Sequence, residues 1–79
     1  MKVPAIKKLV EQADLESLQQ AEQALYNEQP LAIEVEGEDE GEKLTHILAA
    51  IYIKERMAQG DDFTTALRSY TNRVRNSIN

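Results

Sequence analysis

The sequence predicts a mainly all-α fold, a four-helix domain with one short strand or extended segment. Apolar residues recur at helical spacing in four separate stretches, and a period of two appears once, at residues 31–36. The stretch Leu44–Ala58 sets the arrangement, because as a helix it is apolar on two sides. Leu44, Ile47, Leu48, Ile51 and Ala58 form one stripe; Ala49, Ala50, Ile53 and Met57 form a second, roughly opposite. Such a helix is central, packed from two directions.

The first helix is expected near residues 4–12, where Val3, Ile6, Leu9, Val10 and Ala13 share a face. Pro4 suits its opening turn, in which the missing N–H is not needed. A corner at Ala13-Asp14 leads to a second helix near 15–28. Asp14 is its candidate N-cap, able to accept from a first-turn N–H. Leu15, Leu18, Ala21, Leu25 and Tyr26 line it, and Pro30 pushes Gln29 out of the helical region.

From Leu31 to Glu36 the pattern alternates, with Leu31, Ile33 and Val35 on one side and Ala32, Glu34 and Glu36 on the other. Read as a strand, this segment has no second strand in the chain with which to pair its backbone groups. A copy of itself across a two-fold axis would supply one, making a homodimer. Its alternative is an extended loop draped over the helices. The central helix is expected near 42–59 and ends at Gly60, a residue suited to the left-handed C′ position. Asp61 or Asp62 caps the last helix, near 62–77, whose stripe is Phe63, Ala66, Leu67, Tyr70, Val74 and Ile78. The dimer interface predicted on this basis is Leu31, Ile33 and Val35 with the second stripe, Ala49, Ala50, Ile53 and Met57.

The 79 residues make a single domain, 1–79, with no cysteine and hence no disulfide or thiolate site. Roughly 70–80 residues is the size below which one core supplies little surplus stability, and burial borrowed from a second subunit would add to it. Net charge is −5, which opposes binding to nucleic acid or an anionic membrane. That charge is uneven: residues 31–53 carry one basic and six acidic side chains, residues 54–79 five and three. No apolar run approaches the ~18 residues of a membrane span, and no secretory signal follows Met1, so a cytoplasmic location is expected.

Chemistry finds few footholds. Glu38, Asp39, Glu40 and Glu42 form an acidic loop whose spacing faintly resembles a calcium loop, with Gly41 at the sixth position. Its twelfth position is Ile47, where a bidentate Glu should stand. His46, the one histidine, shares a helix face with Glu42. Glu22 and Glu55 fall inside apolar stripes, and with His46 they sketch a second metal site, though converging His or Cys ligands are missing. The bland reading is a solvated loop and carboxylates that reach outward or meet Arg68 or Arg73. Ser17, Ser69 and Ser77 have no base nearby in sequence, so no enzyme is expected and no cofactor is implied.

Strand, helix, helix from Leu31 to Ile78 follows the order of ribbon-helix-helix DNA binders. Outward Ala32, Glu34 and Glu36 would meet phosphates with negative charge, so the order favours dimerisation and disfavours DNA. The opening VPAIKKLVE, the stretch AIEVEGEDEGEKLTHILAAIYI and the ending ALRSYTNRVRNSI make the whole chain resemble a family of short bacterial proteins of unknown function. That resemblance implies an accessory role beside thioredoxin-like or peroxiredoxin proteins. Lacking cysteine, this chain would contribute binding there and no electron transfer. The function expected is therefore a non-enzymatic protein-interaction module acting as a homodimer. Divalent-metal binding is the alternative and DNA binding a second one.

Overall fold

A computed structural model describes residues 2–77, so Ile78 of the last stripe lies outside the described residues. Four helices follow in order: α1 Val3–Gln12, α2 Leu15–Tyr26, α3 Glu40–Ala58 and α4 Phe63–Ser77. Their ends are set by side chains and turns that the sequence supplies. Asp14 accepts from the Ser17 N–H at 2.8 Å and caps α2, while Asp62 accepts from the Thr65 N–H at 2.8 Å and caps α4.

Two helix ends close with the same motif. After α3, the Gly60 N–H donates to the Met57 carbonyl and the Asp61 N–H to that of Arg56. This paired bonding is the Schellman turn, and Gly60 holds the positive φ of 112° that it requires. After α2, Glu28 takes the corresponding place at φ 54°, with the Gln29 N–H donating to the Ala24 carbonyl. The second helix therefore stops at Tyr26, two residues before the expected limit, because the turn at Glu28 ends it before Pro30 can act.

The third helix begins at Glu40, earlier than expected. Asp39 accepts from the Glu42 N–H at 2.7 Å, and the Glu42 carboxylate reaches back to the Glu38 N–H at 3.0 Å. This reciprocal bonding is a close variant of the capping box, and it converts the end of the acidic loop into the first turn of α3.

The expectation of a central helix is borne out. α1, α2 and α4 each pack on α3, and no two of these three pack on one another. Ile6, Leu18, Ile47 and Ile53 are the largest fully buried apolar side chains, one each from α1 and α2 and two from α3. Burying a side chain of that size stabilises by roughly 1.5–3 kcal/mol.

The interface expected from the second stripe is corrected. Ala49, Ala50 and Ile53 are wholly buried within the single chain, so only Met57 of that stripe, 39% exposed, faces solvent. Leu44, Leu48 and Ile51 of the first stripe are the ones left partly exposed, beside exposed Glu55 and Ala58. At about 100° per residue, Leu48 lies nearly opposite the midpoint of His46, Ala49, Ala50 and Ile53. The two stripes thus exchange the roles assigned to them, apart from buried Ile47, Ile51, which also packs on the core, and exposed Met57.

The strand is corrected as well. Among the described residues there is no strand. The inward and outward sets nonetheless fall as expected: Val35 is buried, Leu31 and Ile33 are half-buried against the core, and Ala32, Glu34 and Glu36 are exposed. Ile33 lies over α1, where it and Ala5, Leu9 and Ala13 line a common cleft. A period of two reports an extended chain with one side against a surface, and here that surface is a helix.

The caps carry a pH dependence. Backbone and hydroxyl bonding from Ser17 holds the Asp14 carboxyl below its ordinary value of 3.8, and Thr65 does the same for Asp62. A carboxyl depressed in the folded state stabilises fully above its unfolded value and loses that contribution as pH falls through the folded one. Thermal melts should therefore show a steeper loss below about pH 4 for the wild type than for Asp14→Asn/Asp62→Asn, which keeps the acceptor oxygens without the titration. Equal slopes would contradict this account of the caps.

Candidate functional site

His46 sits on the innermost side of α3, with none of its surface exposed. Its Nδ1 lies 2.7 Å from the Glu36 carbonyl and its Nε2 lies 3.0 Å from the Lys2 backbone nitrogen. A carbonyl can only accept and an amide N–H can only donate, so the ring carries its proton on Nδ1 and offers a bare Nε2. The imidazole thereby joins the start of α1, the end of the extended segment and the middle of the fold. Lys2 is the N-cap residue of α1 and provides no side-chain cap. Both ring nitrogens are committed to backbone, which leaves no lone pair for a metal.

The remaining metal candidates are dispersed. Asp39 and Glu42 bind backbone N–H groups at the start of α3, and Glu38 and Glu40 are exposed. Glu55 stands nine residues along α3 from His46, about 13 Å along the axis. Glu22 bonds the Tyr26 hydroxyl one turn away and raises its pKa. Among the described residues, no three His, Cys, Asp or Glu side chains converge on a point where an ion could sit.

The polar cluster that sequence reasoning missed lies between α3 and α4. The Tyr52 hydroxyl and Ser69 Oγ are 2.8 Å apart, and the Tyr52 and Tyr70 rings meet at 5.5 Å between centroids, tilted by 53°. The Arg73 guanidinium stands 5.8 Å from the centre of the Tyr52 ring, within cation–π range. Burial pushes the Tyr70 hydroxyl up from its ordinary 10.0. A signal was present: Tyr52 stands eight residues before Gly60 and Ser69 eight after Asp61. In an antiparallel hairpin of helices, positions equidistant from the turn face each other. These contacts tie α3 to α4 on either side of the turn at Gly60.

Two surface depressions flank α1. One, about 230 Å³, lies between α1 and the extended segment, with an apolar floor of Ala5, Leu9 and Ile33 and a rim of Lys8 and Glu36. Lys8 and Glu36 approach to 3.8 Å there, an exposed pair worth little. The other, about 660 Å³ and open, runs beside the last turn of α3 and is lined by Val10, Leu15, Met57 and Ala58. Lys54 at its edge spends one donor on the Val10 carbonyl at 3.0 Å, satisfying the end of α1. Gln12 and Glu34 also line the first depression, and Glu55 and Gln59 the second, so each mixes apolar and polar side chains.

The remaining feature is the outer strip of α3. Leu44, Leu48 and Ile51 stand at i, i+4 and i+7, partly exposed on the most central helix of the fold. No described helix is long and apolar enough to cross a membrane, so the strip is not part of a span.

The sequence itself now places the chain. The model of a family of unknown function, DUF6952, matches residues 1–79. The chain belongs to DUF6952. Neither curated proteins nor solved structures give a match. In this DUF6952 chain the buried histidine links Lys2, Glu36 and α3. Ring ¹⁵N NMR should find the proton of His46 on Nδ1, with both ring shifts unchanged by added zinc. A proton on Nε2, or zinc-dependent ring shifts, would contradict the bonding described.

Proposed function

We propose that this protein is a non-catalytic interaction module whose docking surface is the outer strip of α3. One observation carries the reading: the helix on which every other helix packs keeps Leu44, Leu48 and Ile51 partly exposed in a single row. Spacing of i, i+4 and i+7 is the pattern by which one helix presents anchors to a groove or to another helix. Glu55 and Ala58 extend the row towards the end of α3. The fitting partner is a protein offering an amphipathic helix with an apolar stripe.

The polar side chains support the same reading through their occupations. His46 holds backbone at both nitrogens, Asp39 and Glu42 hold the first turn of α3, and Ser69 holds Tyr52. Homodimerisation, if it occurs by surface docking, would use this strip in place of Ala49, Ala50 and Ile53. A thiol-redox partner, which the family resemblance implies, would be held by the strip and would itself supply all the chemistry, since this chain has no cysteine.

Leu48→Glu tests the proposal, because a charge there opposes docking and removes little from the core. Its stability should stay within about 1 kcal/mol of wild type, as for other changes outside the core. In paired affinity capture from native lysate, the wild type should retain at least one protein that Leu48→Glu loses. Identical profiles for the two baits would overturn the proposal.

A further inference from the structure

The extended segment keeps backbone groups that the fold leaves unused. Among the described residues, no N–H or C=O of residues 31–35 bonds to another part of the chain. The segment is nonetheless fixed in place. It starts after Pro30, and its far end is clasped by His46 through the Glu36 carbonyl at 2.7 Å. Val35 is buried, and Ile33 is half-buried against the core. At Gly37 the chain runs so close to α3 that an added Cβ would stand 2.8 Å from Lys43 Cγ. An extended chain held in this way has already given up much of the freedom that binding would otherwise cost.

Two further features lie beside the unused groups. The cleft of about 230 Å³ between the segment and α1 has its apolar floor at Ala5, Leu9 and Ile33. Residues 31–42 carry six acidic side chains and no basic one, and Glu34, Glu36, Glu38 and Glu40 are exposed. Lys8 approaches Glu36 to 3.8 Å, whereas Glu34 has no ion-pair partner among the described residues. Open backbone, an apolar seat and unpaired negative charge thus meet on one side of the molecule.

We propose that this segment is a docking edge for a basic peptide in extended conformation, supplied by another protein. The peptide backbone pairs with the open groups of residues 31–35, as an added strand does. Alternate residues of an extended chain turn their N–H and C=O groups to opposite edges. Glu36 directs its carbonyl to His46, so Ile33 and Val35 offer the edge turned away from α3. Peptide side chains opposite Glu34 and Glu36 are arginine or lysine, because opposite charges facing each other across a strand pair attract. Apolar side chains between them rest on the cleft floor. Backbone pairing supplies the affinity, and this alternation supplies the specificity. The outer strip of α3 takes no part, so the two proposals fail separately.

Amide NMR of the full chain tests this with a capped peptide of alternating arginine and valine. Saturable shifts should centre on residues 31–36 and Leu9, with the Ile33 and Val35 amides newly protected from exchange. Methylating the peptide's valine backbone nitrogens or, in a second peptide, its arginine ones removes the donors of one edge and keeps the charge. One of the two should bind about tenfold more weakly than the parent peptide. Glu34→Lys/Glu36→Lys, which changes two exposed side chains, should weaken the parent peptide about tenfold as well, while Leu48→Glu binds it as wild type does. Equal binding of all three peptides would overturn the proposal, since attraction to the acidic loop alone would then account for it. So would unchanged binding by Glu34→Lys/Glu36→Lys, no saturable shift at about 1 mM peptide, or shifts centred on Leu44, Leu48 and Ile51.

Discussion

Burial of α3 under three other helices is the constraint on which the rest of the structure depends. Three helices pack on it and none of them packs on another, so the core is a set of contacts radiating from one rod. Ala49 and Ala50 let neighbours approach closely, while Ile47 and Ile53 fill the space on either side of them. A chain this short has few apolar residues to distribute, and concentrating burial on one helix is how it reaches a core at all.

His46 gives this arrangement its register. An apolar side chain in that position could fill the volume, but it would leave the Lys2 N–H and the Glu36 carbonyl without those partners. Burying backbone groups unbonded costs more than the bonds themselves contribute, about 1–3 kcal/mol for each group left unsatisfied. One imidazole answers both needs and fixes where α1 starts and where the extended segment ends. The histidine that looked most like a ligand is thus a structural clasp, and Asp39 and Glu42 of the acidic loop hold the first turn of α3.

Much of the fold was legible because local rules and tertiary packing agree. Asp14, Asp62 and Gly60 do what their residue types do at helix ends, and the apolar periods place all four helices to within two residues. The failures have physical causes. Alternation at Leu31–Glu36 reports an extended chain with a buried side, and it cannot say whether the covering surface is a strand or a helix. Two apolar stripes on Leu44–Ala58 imply packing on both, whereas the second is covered and the first, apart from Ile47, stays partly exposed. They do not say which stripe is covered, because that depends on where the turns at Ala13 and Gly60 send α2 and α4. Tyr52 escaped notice because it lies between the stripes, and its importance appears only once Ser69 is brought opposite.

Native-state hydrogen exchange tests the central role of α3 most directly, since it measures the opening free energy of each helix separately. Amides of Ala49, Ala50 and Ile53 should exchange slowest of all, and only through global unfolding. Those of α4 should exchange through a smaller opening, with α3 still protected. Slowest exchange in α1, α2 or α4, with α3 opening first, would contradict the account.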